Sequence, residues 1–272
     1  MEVDLFDEIQ RLRQSGRRAA LATIVQIKGS VPSFQTAKML IRDDGSIMGS
    51  VGGGCVEAEV WAAAQDVIRE EKSRIMSFDL TADSMGDSGL ICGGKLEIFI
   101  EPILPTPKMV IFGAGHISTQ LSKIAAVAGF RTIIVDNRPQ YANVERFPEA
   151  LAIYSESFEK AFDEILPDAN TYLVIVTRGH QEDESVLRWA VGTDARYIGM
   201  IGSKRKVRTI FENLQNEGVA RERLEQVCAP VGLDIGAVLP EEIAVAIVAE
   251  AIHYRRAGFK HPQSKKLYQT TH

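Results

Sequence analysis

The chain has 272 residues, 45% of them apolar and 25% charged, the proportions of a soluble globular protein of about two domains. Its 31 basic and 36 acidic side chains leave a net charge of −5, which argues against a broad electrostatic footprint on nucleic acid. No apolar run approaches the ~20 residues of a membrane-spanning helix, and the opening MEVDLFDEIQRLRQ is charged and amphipathic, unlike a secretory leader. A cytoplasmic protein without membrane contact is expected. Cys55, Cys92 and Cys228 are too few and too scattered for a disulfide framework, and no zinc-type spacing occurs, so no metal site is expected.

Taken in order, residues 4–14 place Leu5, Phe6, Ile9 and Leu12 on one helical face. A β-rich run, 19–28, stops at Gly29-Ser30-Val31-Pro32, and runs 37–42 and 46–51 flank the hairpin signal Asp43-Asp44-Gly45. Val56, Val60, Ala63, Val67 and Ile68 predict a helix over 55–72, followed by strands at 74–80 and 95–103 with a polar loop at 81–89. Leu104-Pro105-Thr106-Pro107 then interrupts any ladder and suits a boundary. Beyond it, apolar strands (109–114, 132–136, 151–155, 171–177, 196–202) alternate with helices (116–128, 157–166, 182–191, 204–217), the texture of a parallel sheet covered on both faces. A last helix, 240–258, starts with proline and acids and ends with arginines and glycine. The expected fold is α/β: a small α+β domain over 1–104, a Rossmann-like doubly wound sheet over 105–260, and a tail over 261–272.

Three loops of the second unit fall where such folds bind ligands, beyond the carboxyl ends of strands. In MVIFGAGHIS, Gly113 permits the tight turn, Gly115 lets a pyrophosphate approach the helix N-terminus, and His116 opens the helix. Asp136, at the next strand end, is placed to accept a ribose hydroxyl, and Arg138 beside it leaves NAD and a 2′-phosphorylated ligand both open. Ser118 stands where glycine or alanine is common in the fingerprint, which allows less close helix–sheet packing. Arg178 and His180 lie in TRGHQEDE, although a lone loop histidine is more often ordinary surface. Ser203, Lys204, Arg205 and Lys206 open another helix, where cations oppose the macrodipole and so suggest an anion hook.

The first unit carries an unusual loop. Gly52-Gly53-Gly54 between a strand and a long helix is entropically unfavourable unless main-chain amides must face something closely. Cys55 follows near the helix N-terminus, where the dipole favours a thiolate, while Glu57 opposes it. Cys92-Gly93-Gly94 is a second cysteine-glycine loop. A small buried hydrophobe is the commoner fate of a free cysteine.

Together KGSVP (28–32), GSVGGGCVEAEV (49–60), CGGKLEIFIEP (92–102), VIFGAGHIS (110–118), TRGH (177–180) and YIGMIGSKRK (197–206) resemble the XdhC/CoxI family, accessory proteins of xanthine dehydrogenase and related molybdenum hydroxylases. The resemblance runs from about residue 10 to 256. It implies an N-terminal XdhC/CoxI domain, a Rossmann domain and a usually dimeric protein. It also implies a chaperone that binds molybdenum cofactor (a molybdopterin, with or without a nucleotide), protects it during sulfuration by a cysteine desulfurase and passes it to an apo-molybdenum hydroxylase of xanthine dehydrogenase type. The family's glycine-cysteine motifs fall on Gly52, Gly53, Gly54 and Cys55 and on Cys92, Gly93 and Gly94, and its nucleotide loop on Gly113, Gly115 and His116.

A labile molybdenum–sulfur centre tolerates soft thiols, and a phosphate needs amides and cations. On this reading no turnover chemistry is expected of the chain itself. Two alternatives compete with it. One is an NAD(P)-dependent oxidoreductase with Asp136 on the ribose and His116 or His180 as proton donor. The other is a redox-sensing regulatory module.

Overall fold

A computed structural model describes residues 4–31, 33–80 and 94–257. Pro32, the 81–89 loop, Cys92, Gly93 and the 261–272 tail lie outside the described residues. The chain divides into two compact units between Thr106 and Pro107.

The first unit comprises α1 (Leu5–Gln14), β1 (Ala19–Lys28), β2 (Lys38–Arg42), β3 (Ile47–Gly49), α2 (Gly54–Glu70), β4 (Arg74–Asp79) and β5 (Lys95–Ile103). Its strands form one antiparallel sheet in the order β3-β2-β1-β5-β4. The period-two pattern of β1 sends Ala20, Ala22 and Ile24 to one face, where Val56, Val60, Ala64 and Val67 of α2 bury them with Ile98 and Ile100 of β5. On the other face Leu12 of α1 packs with Ala19, Leu21 and Leu40. Trp61 of α2 is partly exposed and donates its indole N–H to the Gly45 carbonyl at 2.9 Å.

The second unit alternates β6 (Lys108–Phe112), α3 (His116–Val127), β7 (Arg131–Val135), β8 (Ala152–Tyr154), α4 (Phe158–Glu164), β9 (Thr171–Ile175), α5 (His180–Ala190), β10 (Tyr197–Met200), α6 (Lys204–Asn216), the short α7 (Arg221–Leu224) and α8 (Pro240–Ala257). All its strand pairs are parallel, in the order β10-β9-β6-β7-β8. One face is covered by α4, α5 and α6 through Phe158, Leu187, Ile210 and Phe211; the other by α3 and α8 through Leu121, Ala125, Ile247 and Ala251. Trp189 of α5 stacks on Phe162 of α4, with ring centroids 4.6 Å apart and an interplanar angle of 12°.

One part of the sheet escaped the sequence reading. Cys228 N–H donates to Ile198 O at 2.8 Å, Met200 N–H donates back to Cys228 O at 3.0 Å, and Val231 N–H donates to Met200 O at 3.0 Å, so the chain at Cys228 lies parallel beside β10. With that segment as a sixth position, the order becomes the 3-2-1-4-5-6 of dinucleotide-binding folds. Glu250 of α8 anchors the return, accepting from Tyr197 OH at 2.6 Å and Gly232 N–H at 2.9 Å. No helix of the described residues is long and apolar enough to cross a membrane.

Candidate functional site

Strand order locates the candidate site in the second unit. The chain leaves β6 toward β7 on one side and reaches β9 on the other, so the topological switch point, where sheets of this kind form their ligand crevice, lies beyond the carboxyl ends of β6 and β9. Gly113 ends β6 with φ +106°, and a Cβ there would lie 2.4 Å from the Val176 carbonyl oxygen. Only glycine permits that approach between the two central loops. Gly115 differs: its φ is −77°, and a Cβ would meet nothing within 4 Å. That face of the turn is open.

The helices that start at this switch point are left without side-chain caps. Gly115 precedes α3 and Gly179 precedes α5, and neither helix has a side-chain cap, whereas Ser157 and Ser203 cap α4 and α6. Leading amides of α3 and α5 therefore keep hydrogen-bonding capacity for an anionic group, aided by the helix dipole. His116 and His180, the first residues of these helices, are exposed. Arg178 is exposed too, with its Nε 3.5 Å from Glu182.

The acid expected to hold a ribose has other partners. Asp136, 2% exposed, accepts at Oδ1 from Arg138 N at 3.0 Å and Nε at 2.8 Å, and at Oδ2 from Ala114 N–H and Arg138 Nη2 at 2.7 Å each. Burial pushes its pKa up, but the Arg138 guanidinium and the Ala114 amide outweigh burial and hold it below the usual carboxylate range. Asp136 thus braces the glycine turn and orients Arg138.

Sequence reading made Lys204, Arg205 and Lys206 one anion hook; the structure divides them. Lys206 is ion-paired with Asp183, which is 0% exposed and also accepts from the Thr177 hydroxyl and, at 3.2 Å, from Thr177 N–H. Burial pushes the Asp183 carboxyl up despite Lys206 and Thr177. A buried carboxylate needs a counter-charge, which makes Lys206 a tie between α5 and α6. Lys204 and Arg205 are exposed at the start of α6, while Ser203 uses its side chain to accept from Lys206 N at 3.3 Å.

The glycine loop of the first unit is held from within. Gly52, Gly53 and Gly54 have φ of +121°, +79° and +63°, the left-handed side that side chains avoid. Glu57 Oε1 gathers the loop, accepting from Ser50 Oγ at 2.5 Å, Gly53 N–H at 3.0 Å and Val51 N–H at 3.1 Å. The Ser50 hydroxyl foremost, with the loop amides, holds the Glu57 carboxyl below its ordinary value although burial opposes them. Sequence reading weighed Glu57 only against a thiolate. The signal for its loop role was an acid four residues beyond a helix-capping glycine, one position later than a capping box. Cys55, second residue of α2, is exposed. Gly94 has a packing reason of its own, because a Cβ there would lie 2.7 Å from Val31 and 2.8 Å from the Lys28 and Ser30 carbonyls.

Comparison with known proteins agrees with this geometry. Residues 109–251 match the XdhC Rossmann domain, and residues 12–79 match the XdhC and CoxI family. The chain belongs to that family. A curated relative, the Escherichia coli protein YqeB, is 32% identical over 93% of this chain, which spans only 46% of that relative. A Bacillus subtilis protein named as a probable xanthine dehydrogenase subunit is 24% identical over 91% of this chain and 96% of its own. The E. coli molybdenum cofactor insertion chaperone PaoD is 22% identical over 89% of this chain and 85% of its own. A crystal structure described as a xanthine dehydrogenase from Bacillus halodurans shares the fold, with a TM-score of 0.54 at 24% identity, covering 96% of this chain and 98% of that one.

Proposed function

We propose that this XdhC/CoxI protein carries molybdenum cofactor as cargo, shields it during sulfuration by a cysteine desulfurase and delivers it to an apo-hydroxylase of xanthine dehydrogenase type, acting as a homodimer. The observation that carries the reading is the switch point between β6 and β9. It is flanked by two helices with uncapped amides and by open space at Gly115, in a chain whose distant relative PaoD is named a cofactor insertion chaperone. The phosphorylated end of a pterin, with or without a nucleotide, needs such amides, and Lys204 and Arg205 would add charge. In the first unit, Cys55 is an exposed thiol beside the three-glycine turn, a soft group of the kind a molybdenum–sulfur centre tolerates. Once transferred, the cofactor supplies the hydroxylation chemistry of the acceptor enzyme; the residues named here bind and shield it.

The test is the molybdenum and pterin content of protein purified from a molybdenum-replete host, by metal analysis and by fluorescence of the oxidised pterin. Wild type is expected to copurify with both, and Cys55→Ala and Lys204→Ala with clearly less. Wild-type protein free of pterin would defeat the proposal, and undiminished loading of both variants would defeat the assignment of residues.

A further inference from the structure

We infer that the carboxyl edge of β7 carries a subsite for a ribose-phosphorylated nucleotide, the 2′-phosphoadenosine end of an NADPH-type dinucleotide, built from Arg138, Tyr141 and Arg146. This goes beyond the carriage of a molybdenum cofactor and does not rest on it.

A carboxylate at this strand end serves NAD by accepting both ribose hydroxyls, which requires lone pairs open to the ligand. Asp136 offers none. Its two oxygens already receive four hydrogen bonds, from Ala114 N–H and from the Arg138 amide, Nε and Nη2, and four is about the acceptor capacity of a carboxylate. A ribose diol would have to break a buried ion pair to be read.

What the strand end presents instead is the guanidinium. Arg138 uses two of its five side-chain N–H groups on Asp136, and the other three have no acceptor among the described residues. A second cation stands beside it. Arg146 donates from Nη2 to the Thr119 hydroxyl at 3.1 Å, and Thr119 in turn donates to the Gly115 carbonyl at 3.1 Å, so Arg146 is tied to the first turn of α3. Both guanidinium carbons lie over the Tyr141 ring, at 4.3 and 5.1 Å from its centroid, and Tyr141 remains 39% exposed.

Guanidinium forks match phosphate oxygens, and stacking on an aromatic ring fixes the plane from which their N–H groups project. Asp136 offsets the charge of Arg138, and Glu182, whose field reaches Arg138, lies 3.5 Å from Arg178, which leaves Arg146 as the surplus cation among these five groups. A neutral diol has no use for that surplus; a ribose phosphate does. The cluster also adjoins the open Gly115 turn, where the pyrophosphate of a dinucleotide would meet the α3 amides.

Calorimetric titration of the purified full chain with 2′,5′-ADP, 3′,5′-ADP and 5′-ADP tests the inference. The 2′ isomer is expected to bind at least about ten-fold tighter than the other two, with NADPH but not NADH displacing it. Arg146→Ala is expected to weaken 2′,5′-ADP about ten-fold and leave 5′-ADP unchanged. Arg138→Lys, which keeps a cation on Asp136, should act in the same direction, with melting curves verifying that both variants are folded. Equal affinity for 5′-ADP, tighter binding of the 3′ isomer, binding indifferent to both variants, or no heat with any of the three would each overturn it. Molybdenum does not enter this readout, so a failure of the cofactor-carrier proposal leaves it standing.

Discussion

Replacing Lys206 by methionine asks whether this cation serves the fold or a ligand. The substitution keeps most of the apolar stem and removes the charge that faces Asp183, a carboxylate 0% exposed and otherwise met by Thr177 alone among its described hydrogen-bond partners. Leaving a buried charge without its partner costs about 3–5 kcal/mol. Because the Lys206 side chain keeps 28% exposure, water screens part of the pair, and the lower end, about 3 kcal/mol, is expected. In a domain of this size each kcal/mol lowers Tm by about 2–4 °C, so the second unit should melt about 6–12 °C lower.

The loss should also depend on pH. Burial already raises the Asp183 carboxyl, so the folded state binds its proton more readily than the unfolded chain does. Whatever stability that proton provides is fully present below the unfolded value and is lost as pH rises through the folded one. Lys206→Met raises the folded value further, so the deficit should be small in mild acid and grow toward neutrality. Calorimetric scans from pH 4.5 to 8 measure it, and Asp183→Asn in the same chain should recover most of the difference, since its amide oxygen still accepts from Thr177. A variant that melts with wild type at every pH would refute the tie and return Lys206 to the solvent-facing cations.

Three further outcomes follow from the same contacts. Glu57→Ala removes an acceptor shared by Ser50, Gly53 and the buried Val51 amide, and should cost about 2–3 kcal/mol in denaturant unfolding; the wild-type Glu57 contribution should be complete above the ordinary carboxylate range and fade as pH falls through its lowered folded value. Gly113→Ala, which sets a Cβ against the Val176 carbonyl, should yield insoluble or unfolded second unit, while Gly115→Ala should fold normally and lose cargo, read by circular dichroism alongside metal content. Glu8, held foremost by the Arg11 hydrogen bond and also by Arg42, should titrate near pH 2 in a carboxyl carbon NMR series, with its stabilising contribution present above the unfolded value and lost as pH falls toward 2.

Strand and helix periodicity carried most of the architecture into view, because both faces of the parallel sheet are buried and its strands read as short apolar runs. The glycine turn at Gly113 and Gly115 was equally legible, since a strand, two glycines and a helix leave few conformations. Side-chain pairing was not. Nothing local marks Lys206 as the partner of Asp183, 23 residues away, because that pairing depends on which helices the sheet order makes neighbours; Arg138 lies only two residues beyond Asp136, but a spacing of two does not say that the guanidinium folds back onto the carboxylate. Cys228 reads as an isolated thiol in the sequence because its parallel alignment with β10 comes from a cis-proline-flanked segment too short to show a period. The family resemblance marked Gly94 as a motif residue, and the three close atoms around it give a reason in packing.

Tryptophan occurs twice in the sequence, once in each unit. Trp61 touches solvent while Trp189 lies against a phenyl ring, so their emission maxima should differ, the first shifted toward the red. A denaturation followed at two wavelengths, with each indole replaced in turn by phenylalanine, would therefore show whether the halves come apart together or in succession, without any added label.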